Sequence, residues 1–348
     1  MLGKIIQYYR LKNNLSMREL ASKIGVSPMT ISYYERNARK PGIETLRALA
    51  SAFGVKVSDF LNDHGTDLVF AHCEFRKNSR LPQNKQEYIR EATEEYFGRF
   101  FKSVDIIGGK ILADLPQVHS IPLSDDDEIN AEALRRYLNV PLHGPVGNIV
   151  EALEYRGVLI FPIDTNENDF SGMNGTVNNR PYIVFRAGMS AERIRSTIIH
   201  EAAHFAFNWP DSISDKECEN RATAISGAFL FSSADAVREL GPKRSYVTND
   251  MLAVCRDYGI SMFLLVKRAT ICHIISDRAA KDFYVKASHA GWRKGGEPER
   301  IQKEEPGLFK RLVYRAVCEG SISVQKGAEL LKEPYDTVKD QCSAAIGG

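Results

Sequence analysis

The chain has no Cys-x-x-Cys pair and no dense cysteine framework. Its six cysteines, Cys73, Cys218, Cys255, Cys272, Cys318 and Cys342, are scattered through 348 residues. That excludes a disulfide scaffold and reads as the reduced thiols of a cytoplasmic protein. There is also no uninterrupted apolar run of about 18 residues, the length a membrane-spanning helix needs. The opening Met-Leu-Gly-Lys-Ile-Ile-Gln-Tyr-Tyr-Arg lacks the apolar centre of a signal peptide. Neither export nor a membrane partner is expected. Net charge is nearly absent as well, at +2, and by itself selects no partner. What remains is a globular composition, 43% hydrophobic and 26% charged, long enough for two or three domains.

The charge is unevenly spread. Residues 1–62 carry ten Lys/Arg against four Asp/Glu, a local excess of +6 that suits a polyanion. Within this segment Ser16 can cap a helix running to about Ile24, with Leu20, Ala21 and Ile24 on one face. Gly25 supplies a tight turn, and Ser27-Pro28 pairs an N-cap with a proline at the first helical position. The next helix turns Ile31 inward and Met29, Thr30, Ser32 and Tyr33 outward. This is helix-turn-helix grammar. The second helix can lie in a major groove, with Ser27 and the outward residues at its first turns, while Arg18, Arg36, Arg39 and Lys40 neutralise phosphates. A bundle used for protein contacts would share the core pattern; the charge excess favours double-stranded operator DNA. The stretches Gly25–Pro41 and Leu46–Val55 resemble the XRE/Cro-C1 repressor family over about 60 residues. Asn37 stands where that family usually has glycine, and asparagine also tolerates the left-handed conformation.

A looser connector follows. Leu68–Phe75 alternates as a strand does, and Gln83 to about Val104 is an amphipathic helix with Tyr88, Ala92, Tyr96 and Phe100 spaced for packing. His72 reads as a strand histidine with a hydrogen-bond partner. Ser124–Glu128 is an acidic entry to the next helix.

His200-Glu201-Ala202-Ala203-His204 places two imidazoles one helical turn apart with a glutamate beside the first. That is the H-E-x-x-H arrangement of zinc peptidases. Before it the chain reads as helices over Ala131–Leu138 and Val146–Arg156, then strands over Gly157–Pro162 and Pro181–Arg186. Ser190 caps the motif helix. Two carboxylates follow as third-ligand candidates. Ser214-Asp-Lys-Glu217 is a capping-box pattern that gives Glu217 a structural task and leaves Glu219 free. His200, His204 and Glu219 with one open position make a catalytic rather than closed arrangement, and Glu201 is the general base, then the proton donor to the leaving amine. Zinc suits this donor set, with manganese the alternative. The strand Pro181–Arg186 is expected to offer an edge to an extended peptide. Cys218 reads as a buried thiol; Tyr182, His143 and His273 stay open as oxyanion stabilisers.

Arg195–His204 and Glu219–Ser232 resemble the ImmA/IrrE metallopeptidase family, the similarity running over about Ile129–Phe283. The resemblance implies His200, His204 and Glu219 as metal ligands, Glu201 as the catalytic acid/base, and a repressor-type protein as substrate. Thr223 replaces the family's usual Asn or Asp, and Ser232 its usual Pro. The architecture expected is α+β: a five-helix DNA-binding bundle over 1–65, a connector over 66–128, a zincin-like domain with a small sheet over 129–285, and a C-terminal helical tail over 286–348. The function expected is a cytoplasmic, homodimeric DNA-binding regulator with a metal-dependent endopeptidase domain. A peptidase-like fold that senses a ligand or metal without cutting is the alternative, as is an antitoxin or defence-system regulator.

Overall fold

The computed structural model describes residues 2–60, 68–72, 81–294, 296–298 and 301–343. The chain divides into two compact units, Met1–Ile111 with Gly307–Gly348, and Leu112–Pro306. These cuts differ from those expected at 65, 128 and 285.

The first unit opens with α1 (Leu2–Lys12), α2 (Met17–Ile24), α3 (Pro28–Glu35), α4 (Ile43–Phe53) and a single 3-10 turn, Val57–Phe60, where a fifth helix was expected. Ser16 and Glu19 form a reciprocal capping box at the start of α2, and Gly25 ends that helix at φ 73°. Ser27 caps α3 by accepting from Thr30 N. Ile6, Leu20, Ala21, Ile31 and Leu49 form the core. Asn37 adopts φ 54° as anticipated, and its Oδ1 accepts from Gly3 N at 2.8 Å. At Gly3, α1 lies directly against the end of α3: a β carbon there would lie 2.3 Å from Glu35 O.

A short strand, β1 (Phe70–His72), precedes α5 (Gln83–Ile107); residues 73–75 of the expected strand lie outside the described residues. His72 Nε2 lies 3.2 Å from Glu94 Oε1. The aromatic stripe of α5 is packing: Tyr88 stacks on Tyr8, and Tyr96 and Phe100 meet Phe309 edge-on at 5.4 and 5.6 Å. Phe309 belongs to α14 (Leu308–Cys318), which is followed by α15 (Val324–Leu331) and α16 (Tyr335–Gln341). Glu95 of α5 pairs with Arg99 and Lys332. The tail after residue 307 therefore belongs to this unit.

Glu91, also on α5, has the opposite environment. Burial, then the neighbouring Glu94, push its carboxyl up to about 7, against the opposing pull of Lys4. A folded-state value above the unfolded one means that the native state holds the extra proton, so its stability contribution is present below pH 4.5 and lost as pH rises through about 7. Glu91→Gln is therefore expected to raise stability at pH 8 by on the order of 2 kcal/mol and to leave it nearly unchanged at pH 4. Urea denaturation at both pH values reads this out, and equal effects at both would remove Glu91 as the cause.

In the second unit β2 (Ile121–Pro122) pairs in parallel with β6 (Phe207–Asn208). Between them lie α6 (Asp127–Leu138), α7 (Ile149–Tyr155), β3 (Leu159–Ile163), β4 (Gly172–Val177), β5 (Arg180–Arg186) and α8 (Ala191–Ala206). After β6 come α9 (Asp215–Leu230), α10 (Ser233–Leu240), α11 (Met251–Tyr258), α12 (Met262–Ile271) and α13 (Asp277–His289). β4 joins β5 antiparallel through Asn178-Asn179, at φ 48° and 62°, the two left-handed positions of a type I′ hairpin turn. β5 also pairs in parallel with β3. It is thus a central strand, and the expectation that Pro181–Arg186 offers an edge to a peptide is corrected: six of its seven residues are buried, as a strand covered on both faces requires. Residues 286–306 belong to this unit because Glu297 Oε1 accepts from Met262 N at 2.7 Å and Glu304 Oε2 from Ile149 N at 2.8 Å. The acidic entry at 124–128 serves folding: Asp126 caps α6, Asp127 pairs with Arg221, and Glu128 pairs with Arg268.

Candidate metal centre and helix-turn-helix surface

Helix α8 is set by Ser190, whose Oγ accepts from Arg193 N, and by Ile194, Ile198, Ile199, Ala202 and Ala203, all buried in the unit's main core. His200 and His204 project from another side and are half-buried, their ring centroids 4.8 Å apart. Helix α9 packs against α8 and supplies Glu219 from its second turn. Ser214 Oγ accepts from Glu217 N at 3.3 Å, so half of the expected capping box forms. His200, His204 and Glu219 each present a donor atom within 4.8 Å of the others. The Nε2 atoms of the two histidines are 3.2 Å apart; Glu219 Oε2 is 3.2 Å from His200 Nε2, and Oε1 is 3.4 Å from His204 Nε2.

The far nitrogens of both rings are engaged elsewhere. Thr223 Oγ1 donates to Glu219 O at 2.9 Å and so offers its lone pair to His200 Nδ1 at 3.3 Å. Cys218 Sγ lies 3.7 Å from His204 Nδ1. An imidazole whose Nδ1–H is so occupied presents the Nε2 lone pair inward, the orientation a metal-binding histidine needs. Thr223, where the resemblance leads one to expect Asn or Asp, thus keeps a polar contact with His200. The other departure is also resolved locally: Ser232 caps α10, accepting from Asp235 N at 3.1 Å. The electrostatics couple the cluster. Burial opposes ionisation of Glu219, but the facing imidazoles of His200 and His204 outweigh it and hold the carboxyl far below its usual range. Burial likewise opposes charge on His204, whereas Cys218 and Glu219 favour it; a cation bound at Nε2 would displace that proton and leave the ring neutral.

Glu201 is buried, and its Oε2 accepts from Asn174 Nδ2 at 2.8 Å. Asn174 lies on β4, a strand that sequence reasoning missed altogether. Gly172, two residues earlier, lets α8 approach: a β carbon there would stand 2.7 Å from Thr197 Cγ2 and 3.3 Å from Glu201 Cγ. Trp209 donates Nε1 to His204 O at 3.2 Å, satisfying a carbonyl of the last turn of α8. Of the open oxyanion candidates, Tyr182 is fully buried in β5, His143 is exposed between α6 and α7, and His273 is exposed in the turn after α12.

On the helix-turn-helix surface, Arg18, Ser27, Met29, Tyr33, Arg36, Arg39 and Lys40 are exposed, while Thr30 and Ser32 are half-buried. Ser27 and Thr30 also bond each other, Oγ to Oγ1 at 2.9 Å. The Arg36 guanidinium sits 5.9 Å from the Tyr33 ring centroid and its Nε donates to Ser32 O. Sequence reasoning missed the ion pair behind this face: buried Arg10 meets buried Glu35, Nε to Oε1 at 2.5 Å and Nη2 to Oε2 at 2.9 Å.

Comparison with known proteins agrees with both units' local architecture. Residues 6–60 match the helix-turn-helix family, and residues 153–270 match the IrrE N-terminal-like domain. An uncharacterised helix-turn-helix-type transcriptional regulator of Methanocaldococcus jannaschii is 39% identical over 54 residues, 16% of this chain and 82% of the relative. The cryptic phage CTXphi transcriptional repressor RstR of Vibrio cholerae is 31% identical over 68 residues, 20% of this chain and 61% of the relative. No solved structure matches the chain. The chain therefore joins an XRE-type helix-turn-helix domain to an IrrE/ImmA-like domain of the peptidase M78 type.

Proposed function

We propose that the chain is a DNA-binding transcriptional regulator that also hydrolyses a peptide bond in a repressor-type protein, using a divalent cation held by His200, His204 and Glu219. The observation that carries this reading is the convergence of two Nε2 atoms and one carboxylate within 4.8 Å beside the buried Glu201. Two neutral imidazoles and a carboxylate suit zinc, with manganese the alternative. When bound, the cation supplies Lewis acidity to the scissile carbonyl and the attacking water. Glu201 takes the proton from that water and passes it to the leaving amine. Asn174 keeps the Glu201 carboxylate in place through Oε2, leaving Oε1 for proton transfer.

At the other end of the chain, Met29, Thr30, Ser32 and Tyr33 are offered to base edges, with Arg18, Arg36, Arg39 and Lys40 at phosphates and Ser27 at the entry to the helix. Reading paired half-sites calls for a homodimer. A cytoplasmic location goes with this reading; among the described residues no helix is long and apolar enough to cross a membrane.

The test is elemental analysis of the full chain. About one divalent ion per chain is expected, falling at least about tenfold in Glu219→Ala, since loss of one of three ligands opens the site. Undiminished metal in that variant, and in His204→Ala, would rule out this cluster as the site.

A further inference from the structure

The local pattern of helix lengths, caps and turns in α1–α3 occurs a second time in α14–α16. Helices α1 and α14 are both 11 residues long, and α2 and α15 are both eight. Ser16 caps α2 and Ser323 caps α15. Nine residues after each serine stands a left-handed residue, Gly25 at φ 73° and Lys332 at φ 56°. The N–H of that residue and the next bond to an equivalent alanine: Gly25 and Val26 to Ala21 O, Lys332 and Glu333 to Ala328 O. The third helix then starts from Ser27 or Pro334 and buries an equivalent β-branched residue completely, Ile31 or Val338.

The two copies differ in what ties their first helix to their third. In the N-terminal copy the tie is Arg10–Glu35. The residue that corresponds to Glu35, eight positions after the cap, is Cys342. Its Sγ lies 3.8 Å from Tyr314 O, the carbonyl one turn before Cys318, which brings the Cys342 thiol to the last turn of α14, where Cys318 stands. Cys318 is exposed and Cys342 half-buried. Helix α15 packs tightly between them: a β carbon on its Gly327 would stand 2.7 Å from Val317 Cγ2 of α14 and 3.2 Å from Val338 Cγ1 of α16.

We infer that Cys318 and Cys342 are a modification site, a thiol pair that a small disulfide of the glutathione class converts to an intramolecular disulfide linking α14 to α16. The exposed Cys318 thiolate attacks one sulfur of the oxidant, forming a mixed disulfide and expelling one small thiolate. The Cys342 thiolate then attacks the Cys318 sulfur and expels the second. The protein gives up two protons and two electrons, and the oxidant's sulfur–sulfur bond is reduced to two thiols. Cys318 is the first nucleophile because it is exposed, whereas burial and then the Cys318 thiol itself push Cys342 up to about 11. This inference stands apart from the peptidase reading.

The reduced full chain, incubated with graded ratios of reduced to oxidised glutathione and then alkylated, is read by peptide mass mapping. One peptide pair linked through Cys318 and Cys342 is expected, with alkylation at both positions falling at least about tenfold and returning after reduction. Cys342→Ser is expected to lose the link and to accumulate the glutathione adduct on Cys318. Full alkylation of both wild-type cysteines under oxidising ratios, a persistent glutathione adduct without the link, or a link between two chains through Cys318 would each overturn the inference.

Discussion

Glu201→Gln is expected to reduce peptide cleavage at least about a thousandfold while leaving metal content and DNA affinity at their wild-type values. Glutamine keeps the volume of the side chain and an amide oxygen that can accept from Asn174 Nδ2, the bond that positions Oε2 at 2.8 Å. What it removes is the basic oxygen that, in the proposed mechanism, accepts a proton from water and later protonates the amine. Because both proton transfers pass through one group, the loss should appear in kcat with little change in KM. The three residues of the candidate metal cluster are untouched. The assay pairs the full chain with the repressor-type protein proposed as its substrate. Cleavage by Glu201→Gln at the wild-type rate would take Glu201 out of the mechanism. Metal-free protein with full operator binding and no cleavage would favour a sensor that cuts nothing.

Much of what places the candidate site was legible because it is local. Ser16, Ser27, Ser190 and Ser214 are read directly as helix starts, and each caps its helix. The spacing of His200 and His204 needs only the pitch of a helix, and the left-handed turn at Asn37 only the tolerance of asparagine. The choice of Glu219 over Glu217 rested on capping chemistry of which only half forms, Ser214 accepting from Glu217 N; the packing of α9 on α8 is what brings Glu219 to the histidines.

What escaped the sequence is non-local or lacks a periodic signal. β4 contains Gly172 and Gly175, residues that weaken a strand pattern, and its hairpin turn is Asn-Asn rather than the commoner Asn-Gly. With β4 unseen, Asn174 could not be placed beside Glu201, 27 residues away in the chain. The same omission turned β5 into an edge. Its signal was present all the same, since Pro-Tyr-Ile-Val-Phe is continuous rather than alternating and so marks a strand covered on both faces. The approach of Cys342 to the last turn of α14 was hidden for a related reason: spacing reveals a cysteine pair only where the two lie on one element, and Cys318 and Cys342 lie at the ends of two helices.

The buried pair behind the helix-turn-helix surface should produce the largest change in stability. Arg10 and Glu35 are bidentate, and the side chains are only 7% and 4% exposed. Arg10 also donates through Nη1 to Leu15 O at 3.1 Å, in the turn between α1 and α2. Such a pair contributes modestly relative to apolar side chains of the same volume, but removing one partner strands a charge out of reach of water. Glu35→Ala is therefore expected to destabilise the helix-turn-helix region by about 3–5 kcal/mol, a large share of the stability of a small helical module. Operator affinity should fall with it, although the Glu35 side chain is on the covered side of α3. Arg10→Met combined with Glu35→Leu should recover most of the loss, because it removes both charges and fills the space. Denaturant unfolding followed by circular dichroism, together with DNA titration at fixed salt, separates the outcomes. If Glu35→Ala costs less than about 1 kcal/mol, the pair behaves as an exposed surface bridge would, and the tie between α1 and α3 must then lie in the Gly3–Asn37 contact and the apolar core.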